Sequence, residues 1–358
     1  MNLSFWSGKR VFLTGHTGFK GGWLSLWLSR LGATVAGYAL DPPTQPNLFT
    51  AVRLAEGVEH RIADVRDLGT LSAAIRTFAP EIIFHMAAQP IVRDSYKIPV
   101  ETYATNVMGT VNLLEAACQT PSVKATVIIT SDKCYENRET IWPYRELDAM
   151  GGHDPYSSSK GCAELVTSAY GRSFFAPGMR HGSVSSVRAG NVIGGGDWAK
   201  DRLMADLMRG LMAGEDVIIR RPCSVRPWQH VLEPLSGYLE VAEHLYADGP
   251  LPWEAWNFGP APENNQTVHN LARQTCGLWG RPEALQIRED PDAPHEAGLL
   301  TLDSTKARTF LGWRPRWSFG QCIARTVEWY RAFDDGADMR AFTLEQIRAY
   351  EAAQSGRE

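Results

Sequence analysis

The sequence predicts an α/β fold built on a doubly wound parallel sheet, with a smaller mixed α/β lobe towards the C-terminus. Three observations lead to this prediction. Apolar runs alternate with helical patterns through the first half of the chain, as in parallel sheets. A glycine-rich turn follows the first apolar run, and after the three glycines at 194–196 prolines and tryptophans become frequent.

The predicted strands are the apolar or β-branched runs, and they cover residues 10–14, 33–39, 60–64, 81–87, 125–131 and 183–191. The predicted helices cover residues 21–31, 68–78, 100–118, 156–172 and 231–246. Residues 250–294 have an irregular pattern, and residues 334–358 are a polar tail that we expect to be helical or frayed.

We expect two lobes. Residues 1–191, joined by a return of the chain near 217–249, form the first lobe and contain the glycine-rich turn. Residues 192–216 and 250–358 form the second lobe, which is expected to bind the substrate.

The composition is that of an ordinary globular enzyme. The chain has 358 residues and a net charge of −4, which gives no reason to expect a nucleic-acid partner. No apolar run approaches the length of a membrane span, and the first six residues do not resemble a signal peptide. The six cysteines are scattered without a C-x-x-C pair, which argues against zinc and disulfides and favours a reducing cytoplasm. We therefore expect no metal.

Residues 14–22 read T-G-H-T-G-F-K-G-G and lie between a predicted strand and a predicted helix. In this context Gly15 permits a tight turn, Gly18 lets the backbone approach a pyrophosphate, and Gly21 lets the helix pack close to the strand. The alternative is a glycine-rich turn without a ligand. The dinucleotide interpretation makes the whole loop part of the cofactor site: Gly15, His16, Thr17, Gly18, Phe19, Lys20 and Gly21.

The end of the second predicted strand favours NAD over NADP as the dinucleotide. An acid that binds the adenosine ribose usually ends this strand. Here Asp41 comes two residues later than expected. Asp41 either binds the ribose or begins a turn before Pro42. No arginine stands there to bind a 2′-phosphate. Asp64, at the end of the third strand, is expected to hydrogen-bond the adenine amino group.

Tyr156 and Lys160 are four residues apart on a predicted helix, so both side chains lie on one face. A cation beside a phenol stabilises the phenolate and lowers the tyrosine pKa, which makes the tyrosine a base for a hydroxyl proton. A chance pair is the alternative. The position of the pair beyond the fifth strand, downstream of the glycine motif, favours the catalytic interpretation.

Residues 130–133 read T-S-D-K and end the fifth predicted strand, at the edge of the sheet where ligands of open α/β sheets bind. Ser131, Asp132 and Lys133 are therefore candidate catalytic residues. The alternative interpretation makes Asp132 and Lys133 a surface turn pair.

Motifs along nearly the whole chain together resemble those of the extended short-chain dehydrogenase/reductases. These motifs are T-G-H-T-G-F-K-G (14–21), F-H-M-A-A-Q-P (84–90), N-V-M-G-T (106–110), Y-S-S-S-K (156–160), R-A-G-N-V-I-G (188–194), R-P-W-Q-H-V (226–231) and L-D-S-T-K-A-R-T-F-L-G-W-R-P (302–315). The resemblance implies a Rossmann fold with bound NAD.

Four further stretches resemble the branch of this family that dehydrates CDP-glucose. They are S-D-K (131–133), D-P-P-T-Q-P-N-L-F (41–49), G-G-G-D-W-A-K-D-R-L (194–203) and P-H-E-A (294–297). The branch that acts on dTDP-glucose carries an acid where this chain has Lys133, and this difference points to CDP-glucose as the substrate. The implied activity is that of a lyase in deoxysugar biosynthesis of the lipopolysaccharide type.

The resemblance implies a reaction in three steps: oxidation at C4 of the sugar, elimination of water across C5–C6, and return of the hydride to C6. Tyr156, with Ser131, would take the proton of the 4-hydroxyl. Lys133 would remove the C5 proton, and protonated Asp132 would donate to the departing 6-hydroxyl. As a base Lys133 has to be neutral, which neighbouring positive charges such as Lys160 and the nicotinamide ring would favour.

The remaining site residues follow from motif matching. Val65, Ala87, Ala88 and Gln89 would line the cofactor, and Asn106 would support the catalytic helix. Asn191 and Arg226 would hold the substrate pyrophosphate, and Trp198 would stack on the base or sugar. The alternatives are structural: a turn cap for Asn191, an ion pair with Glu233 for Arg226, and core packing for Trp198.

Two rival functions stay open at this point. One is a different nucleotide-sugar dehydratase or a 4-epimerase of the same family, although an epimerase has no need for the Asp132–Lys133 pair. The other is a non-catalytic NAD-binding regulatory protein, since a fold does not fix a function. By resemblance, residues 100–118 and 156–172 would pair subunits into a homodimer or homotetramer.

Overall fold

The computed structural model describes residues 2–175, 182–247, 251–288 and 298–353. The strands are β1 (Arg10–Thr14), β2 (Thr34–Ala39), β3 (Glu59–Ile62), β4 (Ile82–His85), β5 (Ala125–Ile129), β6 (Ser183–Ala189), β7 (Val192–Ile193), β8 (Val217–Ile219), β9 (Val225–Pro227), β10 (Gln229–His230), β11 (Glu254–Phe258), β12 (Asn265–Thr267) and β13 (Leu285–Ile287). Seven of them form one parallel sheet in the order β11-β6-β5-β4-β1-β2-β3. The predicted doubly wound fold is confirmed.

The central strands are apolar along their whole length because both faces of the sheet are covered. All five residues of β5, A-T-V-I-I, are buried, as expected for a parallel strand with helices on both sides. The order of the strands reverses between β1 and β4, and ligands of such sheets bind at this point, outside the carboxyl ends of the strands.

The helices are α1 (Phe19–Arg30), α2 (Leu48–Ala51), α3 (Leu68–Phe78), α4 (Val92–Lys97), α5 (Pro99–Tyr103), α6 (Gly109–Cys118), α7 (Pro155–Ser173), α8 (Leu203–Met212), α9 (Leu232–Ala247), α10 (Val268–Trp279), α11 (Phe319–Asp334) and α12 (Met339–Ala352). The helix predicted over 100–118 is confirmed, because every residue from Pro99 to Cys118 is helical. A π-helical segment, Ala104–Met108, separates α5 from α6. Such irregular turns often occur at functional sites.

Helix α7 begins where the sequence supplies a cap. The side chain of Asp154 accepts a hydrogen bond of 2.9 Å from the backbone N–H of Ser157, and Pro155 occupies the first helical turn. Both residue types are favoured at these positions. The candidate tyrosine therefore lies in the first turn of a fixed helix.

Part of the expected division into lobes is wrong. Strand β11 was expected in the second lobe, but it pairs in parallel with β6 as the edge strand of the main sheet. The rest of the division stays a prediction. Helix α9 is confirmed, and the region expected to be irregular also contains α10.

The C-terminal tail is not frayed up to residue 353. Tyr350 of α12 is buried, and the indole N–H of Trp27 in α1 donates to Glu351 at 2.9 Å. Of the two expectations for this stretch, helical or frayed, the helical one is confirmed by α12. Residues 354–358 lie outside the described residues.

No helix within the described ranges is both long and apolar enough to cross a membrane.

Candidate active site

The ends of β1 and β4 are joined at the point where the strand order reverses. The Thr14 hydroxyl lies 2.8 Å from Nδ1 of His85, and it accepts the backbone N–H groups of Met86 and Ala87, each at 3.1 Å. Burial lowers the pKa of His85 to about 3, so its ring is neutral. This residue therefore holds the crevice together and has no charge to offer a ligand.

The glycine loop has the shape that a pyrophosphate needs. Gly15 has φ +80°, and a Cβ there would lie 2.7 Å from the backbone nitrogen of Ala87. A Cβ on Gly21 would overlap the carbonyl oxygen of Gly15. A Cβ on Gly18 would make only an ordinary contact at 3.4 Å, so protein packing does not require this glycine.

The N-terminus of α1 is open to an anion. Gly18 is its N-cap and provides no side-chain hydrogen bond, which leaves the first N–H groups of the helix available to phosphate oxygens. The loop thus fits the pyrophosphate of a dinucleotide.

His16 and Thr17 hold the loop against the sheet. Nε2 of His16 lies 2.7 Å from Nδ1 of His60, and burial lowers the pKa of His16 to about 4. Thr17 donates a hydrogen bond of 2.8 Å to the carbonyl oxygen of Leu40. The side chain of His16 packs away from the open helix end, and its expected contact with the cofactor stays a prediction.

The two acids expected to bind the adenosine differ in their surroundings. Asp41 is exposed at the end of β2. Asp64 is bound to Arg66, whose backbone N–H, Nε and terminal nitrogen donate to the carboxylate at 2.8, 2.8 and 2.6 Å. This hydrogen bonding lowers the pKa of Asp64. An adenine contact through Asp64 would compete with Arg66, whereas Asp41 is accessible.

The segment after β4 is tied to the catalytic helix through Asn106. The side chain of Asn106, in the π-helical segment, accepts the N–H of Gln89 at 2.8 Å and donates to its carbonyl oxygen at 3.1 Å. It also donates to the hydroxyl of Ser159 in α7 at 2.8 Å. The residues expected to line the cofactor after β4, Ala87, Ala88 and Gln89, are thereby brought beside α7. Val65, in contrast, is buried against Gly109.

Ser131 and Asp132 are buried and Lys133 is half-buried, so the S-D-K segment is not a surface turn. Ser131 caps a short 3₁₀ turn over Asp132–Cys134, accepting the N–H of Lys133 at 3.2 Å and donating to Oδ1 of Asp132 at 3.0 Å. Asp132 is 4% exposed, and its Oδ2 is buried without a hydrogen-bond partner among the described residues.

Burial raises the pKa of Asp132, against the opposing charges of Lys133, Arg226 and Lys20. A raised pKa favours the protonated carboxyl, which can donate a hydrogen bond. The unpartnered oxygen of Asp132 is the atom available for such a bond.

Tyr156 and Lys160 are both buried on α7. Burial raises the pKa of Tyr156 to about 12, while a hydrogen bond with Ser131 and the positive charge of Arg202 oppose this rise. Lys160 donates a hydrogen bond of 3.3 Å to the carbonyl oxygen of Ile129, and burial lowers its pKa to about 8. Lys160 is not among the main influences on the Tyr156 pKa, and the expected lowering of that pKa by Lys160 stays a prediction.

Sequence reasoning missed Arg202 as a charged group of the site. Arg202 is the N-cap of α8 and forms an ion pair of 3.0 Å with Asp197. Its stretch, 194–203, was singled out by resemblance, but nothing in local spacing indicates that this arginine faces Tyr156. Lys20 belongs to the same charged group, because burial, Arg202 and Lys160 lower its pKa to about 7 while Asp132 opposes this.

Arg226 and Asn191, which were expected to bind the substrate, form hydrogen bonds with backbone groups. Arg226 donates to the carbonyl oxygens of Val225 at 2.9 Å and Gly298 at 3.3 Å, and its charge acts on Asp132. Asn191, half-buried, accepts the N–H of Gln229 at 3.0 Å through its carbonyl oxygen. The expected alternative for Arg226 is not favoured, because Glu233 accepts the backbone N–H groups of Arg316 and Trp317 instead.

Trp198 packs in the core. Its ring centroid lies 5.0 Å from that of Tyr330 and 5.1 Å from that of Phe333, and the side chain is buried. This packing disfavours the expected stacking on a substrate. The P-H-E-A stretch (294–297) lies outside the described residues. Within the described residues, no three His, Cys, Asp or Glu side chains are grouped so that they could bind a metal ion.

Comparison with known proteins adds the family. A family model described as the NAD dependent epimerase/dehydratase family matches residues 11–257. A CDP-glucose 4,6-dehydratase of Salmonella typhimurium is 56% identical over 356 residues, which cover 99% of each chain.

Two solved structures share the fold. A UDP-glucose 4-epimerase of Thermus thermophilus in complex with NAD is 25% identical with a TM-score of 0.76, covering 90% of this chain and 99% of that one. A dTDP-glucose 4,6-dehydratase of Bacillus anthracis in complex with NAD is 20% identical with a TM-score of 0.76, covering 93% and 100%. The chain belongs to the NAD dependent epimerase/dehydratase family.

Proposed function

We propose that the protein is an NAD-dependent lyase that converts CDP-D-glucose to CDP-4-keto-6-deoxy-D-glucose. The observation that carries this proposal is the 56% identity over 99% of both chains with a CDP-glucose 4,6-dehydratase. The site supports it, because a buried carboxyl with a raised pKa lies beside a lysine, a serine and a tyrosine. An elimination of water needs both an acid and a base of this kind.

NAD would be held by the backbone N–H groups at the start of α1, by the loop at Gly15–Gly21, and by the segment Ala87–Gln89. Asp41 would reach the adenosine ribose. When bound, NAD supplies a reversible hydride acceptor and the positive charge of its nicotinamide ring. Lys160, buried one turn after Tyr156, would orient the cofactor and contribute positive charge near the reacting hydroxyl.

Tyr156 would take the proton of the sugar 4-hydroxyl, with the Ser131 hydroxyl bonded to the same oxygen. Its pKa of about 12 in the buried site is opposed by Arg202. Additional positive charge in the closed site would lower this pKa further. Tyr156 accepts the proton as the phenolate. The charges around Tyr156 therefore decide how much of this form is present.

Asp132 would hold the proton that the departing 6-hydroxyl receives, through its unpartnered Oδ2. Lys133, the next residue, would remove the proton from C5. Arg226 and Asn191 would bind the substrate diphosphate, since a guanidinium group makes two-pronged contacts with phosphate oxygens.

Product identification tests this function. The protein is incubated with NAD and, separately, with CDP-, dTDP- and UDP-glucose, and formation of a 4-keto sugar is followed by its ultraviolet absorbance in alkali. We expect turnover with CDP-glucose, and with 4-deuterated substrate the label should appear in the C6 methyl of the same molecule. An epimerase or a non-catalytic binding protein would form no 4-keto sugar. Absence of this product with CDP-glucose would therefore refute the proposal.

We also propose that the protein assembles through α5 and α7. Val100 and Leu165 on these helices are 82% and 62% exposed, and apolar side chains so placed are typical of subunit interfaces. Within the described residues no cysteine forms a disulfide, which supports a reducing, cytoplasmic location.

A further inference from the structure

Helix α7 and strand β6 are joined by a buried ion pair that the proposed chemistry does not use. Arg188 of β6 donates to both carboxylate oxygens of Glu164 in α7, through its terminal nitrogen at 2.6 Å and through Nε at 2.9 Å. The two side chains are 1% and 2% exposed. Taking two charges out of water is costly, and such a pair adds little stability compared with apolar residues of similar volume.

Glu164 also connects the catalytic helix to the end of β5. It lies two turns after Tyr156 and one turn after Lys160, on the same face of α7. Its carboxylate accepts a short hydrogen bond from the hydroxyl of Thr130 and one of 2.6 Å from Ser186. Thr130 is the residue immediately before Ser131.

Arg188 connects to the other end of the same segment. Its second terminal nitrogen donates to the hydroxyl of Tyr135 at 2.6 Å, and its guanidinium group lies 5.0 Å from the centre of that ring. Tyr135 in turn donates to the side chain of Asn257 at 2.8 Å. Tyr135 is the residue immediately after the 3₁₀ turn that carries Asp132 and Lys133.

We propose that the Glu164–Arg188 pair positions the S-D-K segment against the catalytic helix and so sets the distance between Asp132, Lys133 and Tyr156. One ion pair holds Thr130, immediately before the segment, and Tyr135, two residues after it, and Glu164 belongs to the helix of Tyr156. Glu164 and Arg188 are thus positioning residues. This inference rests on the proposed function, because it concerns the geometry of that reaction.

The electrostatic contribution of Glu164 gives an independent readout. Its negative charge opposes the lowering of the Lys160 pKa by burial. Without that charge Lys160 loses its proton at lower pH. The alkaline limb of the pH profile of kcat should therefore move down in Glu164→Gln.

The test compares Glu164→Gln and the double variant Glu164→Gln/Arg188→Met with the wild type. We expect kcat on CDP-glucose to fall about 10²-fold in both variants, as for a misplacement of about 1 Å, with the affinity for CDP-glucose nearly unchanged. The double variant removes both charges and should regain stability. If the pair acted only through stability, the double variant would also regain kcat, and the proposal would be wrong.

Glu233→Gln is the matched control. Glu233 is also a buried carboxylate that accepts several hydrogen bonds, from Arg316, Trp317 and Tyr350. Glu233 lies on α9, and none of its hydrogen bonds reaches the S-D-K segment. The Glu233→Gln variant should therefore lose stability, while its kcat and pH profile stay as in the wild type. An equal loss of kcat in Glu233→Gln would show that Glu164 affects kcat only through the stability of the fold.

A measurement without substrate separates this inference from the proposed function. Hydrogen exchange reports the backbone N–H groups of Cys134 and Tyr135, which bond to Ser131 and Asp132 within the turn. Exchange there should be faster in Glu164→Gln and unchanged in Glu233→Gln. Unchanged exchange in Glu164→Gln would overturn the inference whatever substrate the protein uses, whereas a wild type inactive on CDP-glucose would refute only the proposed function.

Discussion

At the scale of residues, burial decides the ionisation of the candidate catalytic groups. Asp132, Tyr156 and Lys160 all lie in the interior, and in each case desolvation is the largest cause of the pKa shift. Desolvation favours the neutral form of a group. The site thus contains a carboxyl group with a raised pKa, a neutral phenol and a lysine that is close to losing its charge.

The raised pKa of Asp132 predicts the behaviour of Asp132→Asn. The 6-hydroxyl would leave without a proton donor, so kcat should fall about 10²–10⁴-fold, while the 4-hydroxyl is still oxidised. NMR of the nucleotide sugars after a single turnover would detect a 4-keto sugar that keeps its 6-hydroxyl. Asp206→Asn is the control, since Asp206 on α8 is an exposed carboxylate paired with Arg209. Direct loss of C4 oxidation in Asp132→Asn would contradict the assigned role.

The pKa of Lys160 predicts the pH at which kcat falls on the alkaline side of the pH profile. Its pKa in the folded protein is about 8, lower than the ordinary 10.5, so its positive charge is lost as the pH rises through about 8, and kcat should fall there. The sign for stability is opposite. Between these two values the unfolded chain binds more protons at this residue, so the contribution of Lys160 to stability increases with pH.

The measurement is kcat against pH together with unfolding curves at the same pH values. Activity should fall near pH 8, whereas the titration of Lys160 should not lower the free energy of unfolding there. In Lys160→Met the remaining activity should be low and should lack this limb. A limb that persists in that variant would show that another group titrates.

At the scale of elements, glycines set how closely the loop approaches the sheet. The turn after β1 passes so near the backbone of Ala87 that only a glycine fits at position 15. Position 21 is equally crowded by the Gly15 carbonyl group. The same close approach leaves the N–H groups of α1 open towards the crevice.

Gly21→Ala should therefore weaken both the fold and the binding of NAD. The added methyl group overlaps backbone atoms that cannot rotate away, which we expect to cost about 1–3 kcal/mol of unfolding free energy. Gly277→Ala is the control, because a Cβ at this position of α10 meets nothing within 4 Å. It should stabilise the protein by about 0.5–1 kcal/mol without changing the affinity for NAD. Chemical denaturation and calorimetric titration with NAD measure both effects.

At the scale of the whole molecule, helix α12 packs against the N-terminal part of the chain. Helix α12 contacts α1 through the Trp27–Glu351 hydrogen bond, and Asp338 at its start pairs with Arg53 at 3.0 Å. Since α1 carries the glycine loop, the last helix of the chain supports the first element of the site. Faces of α5 and α7 stay exposed and carry apolar side chains, Val100 and Leu165.

These exposed faces predict the effect of Val100→Glu and Leu165→Glu. A charge in an apolar subunit interface would be buried without a partner, so either change should dissociate the proposed dimer. Analytical ultracentrifugation measures the change in mass. Leu147→Glu is the control, because Leu147 is 99% exposed and lies on neither helix; an unchanged oligomer in Val100→Glu and Leu165→Glu would place the interface elsewhere.

Local spacing was enough to predict the strands around the glycine loop, the helix of Tyr156 and Lys160, and the position of the S-D-K segment. Each of these depends on periodicity or on residue types within a few positions, and the structure confirms the elements. The π-helical turn within the helix over 100–118, and the choice between a helical and a frayed tail, could not be predicted, because both depend on contacts with distant residues.

The sequence by itself determined the fold class, the glycine loop and the candidate tyrosine and lysine, since these follow from the order of residues along single elements. Only the tertiary structure decided that Ser131 and Arg202 oppose the effect of burial on the Tyr156 pKa, and that Trp198 packs in the core. It also decided that Glu164 and Arg188 join helix and sheet. The physical reason is that desolvation and charge pairing depend on distances between residues far apart in the chain, which no local pattern records.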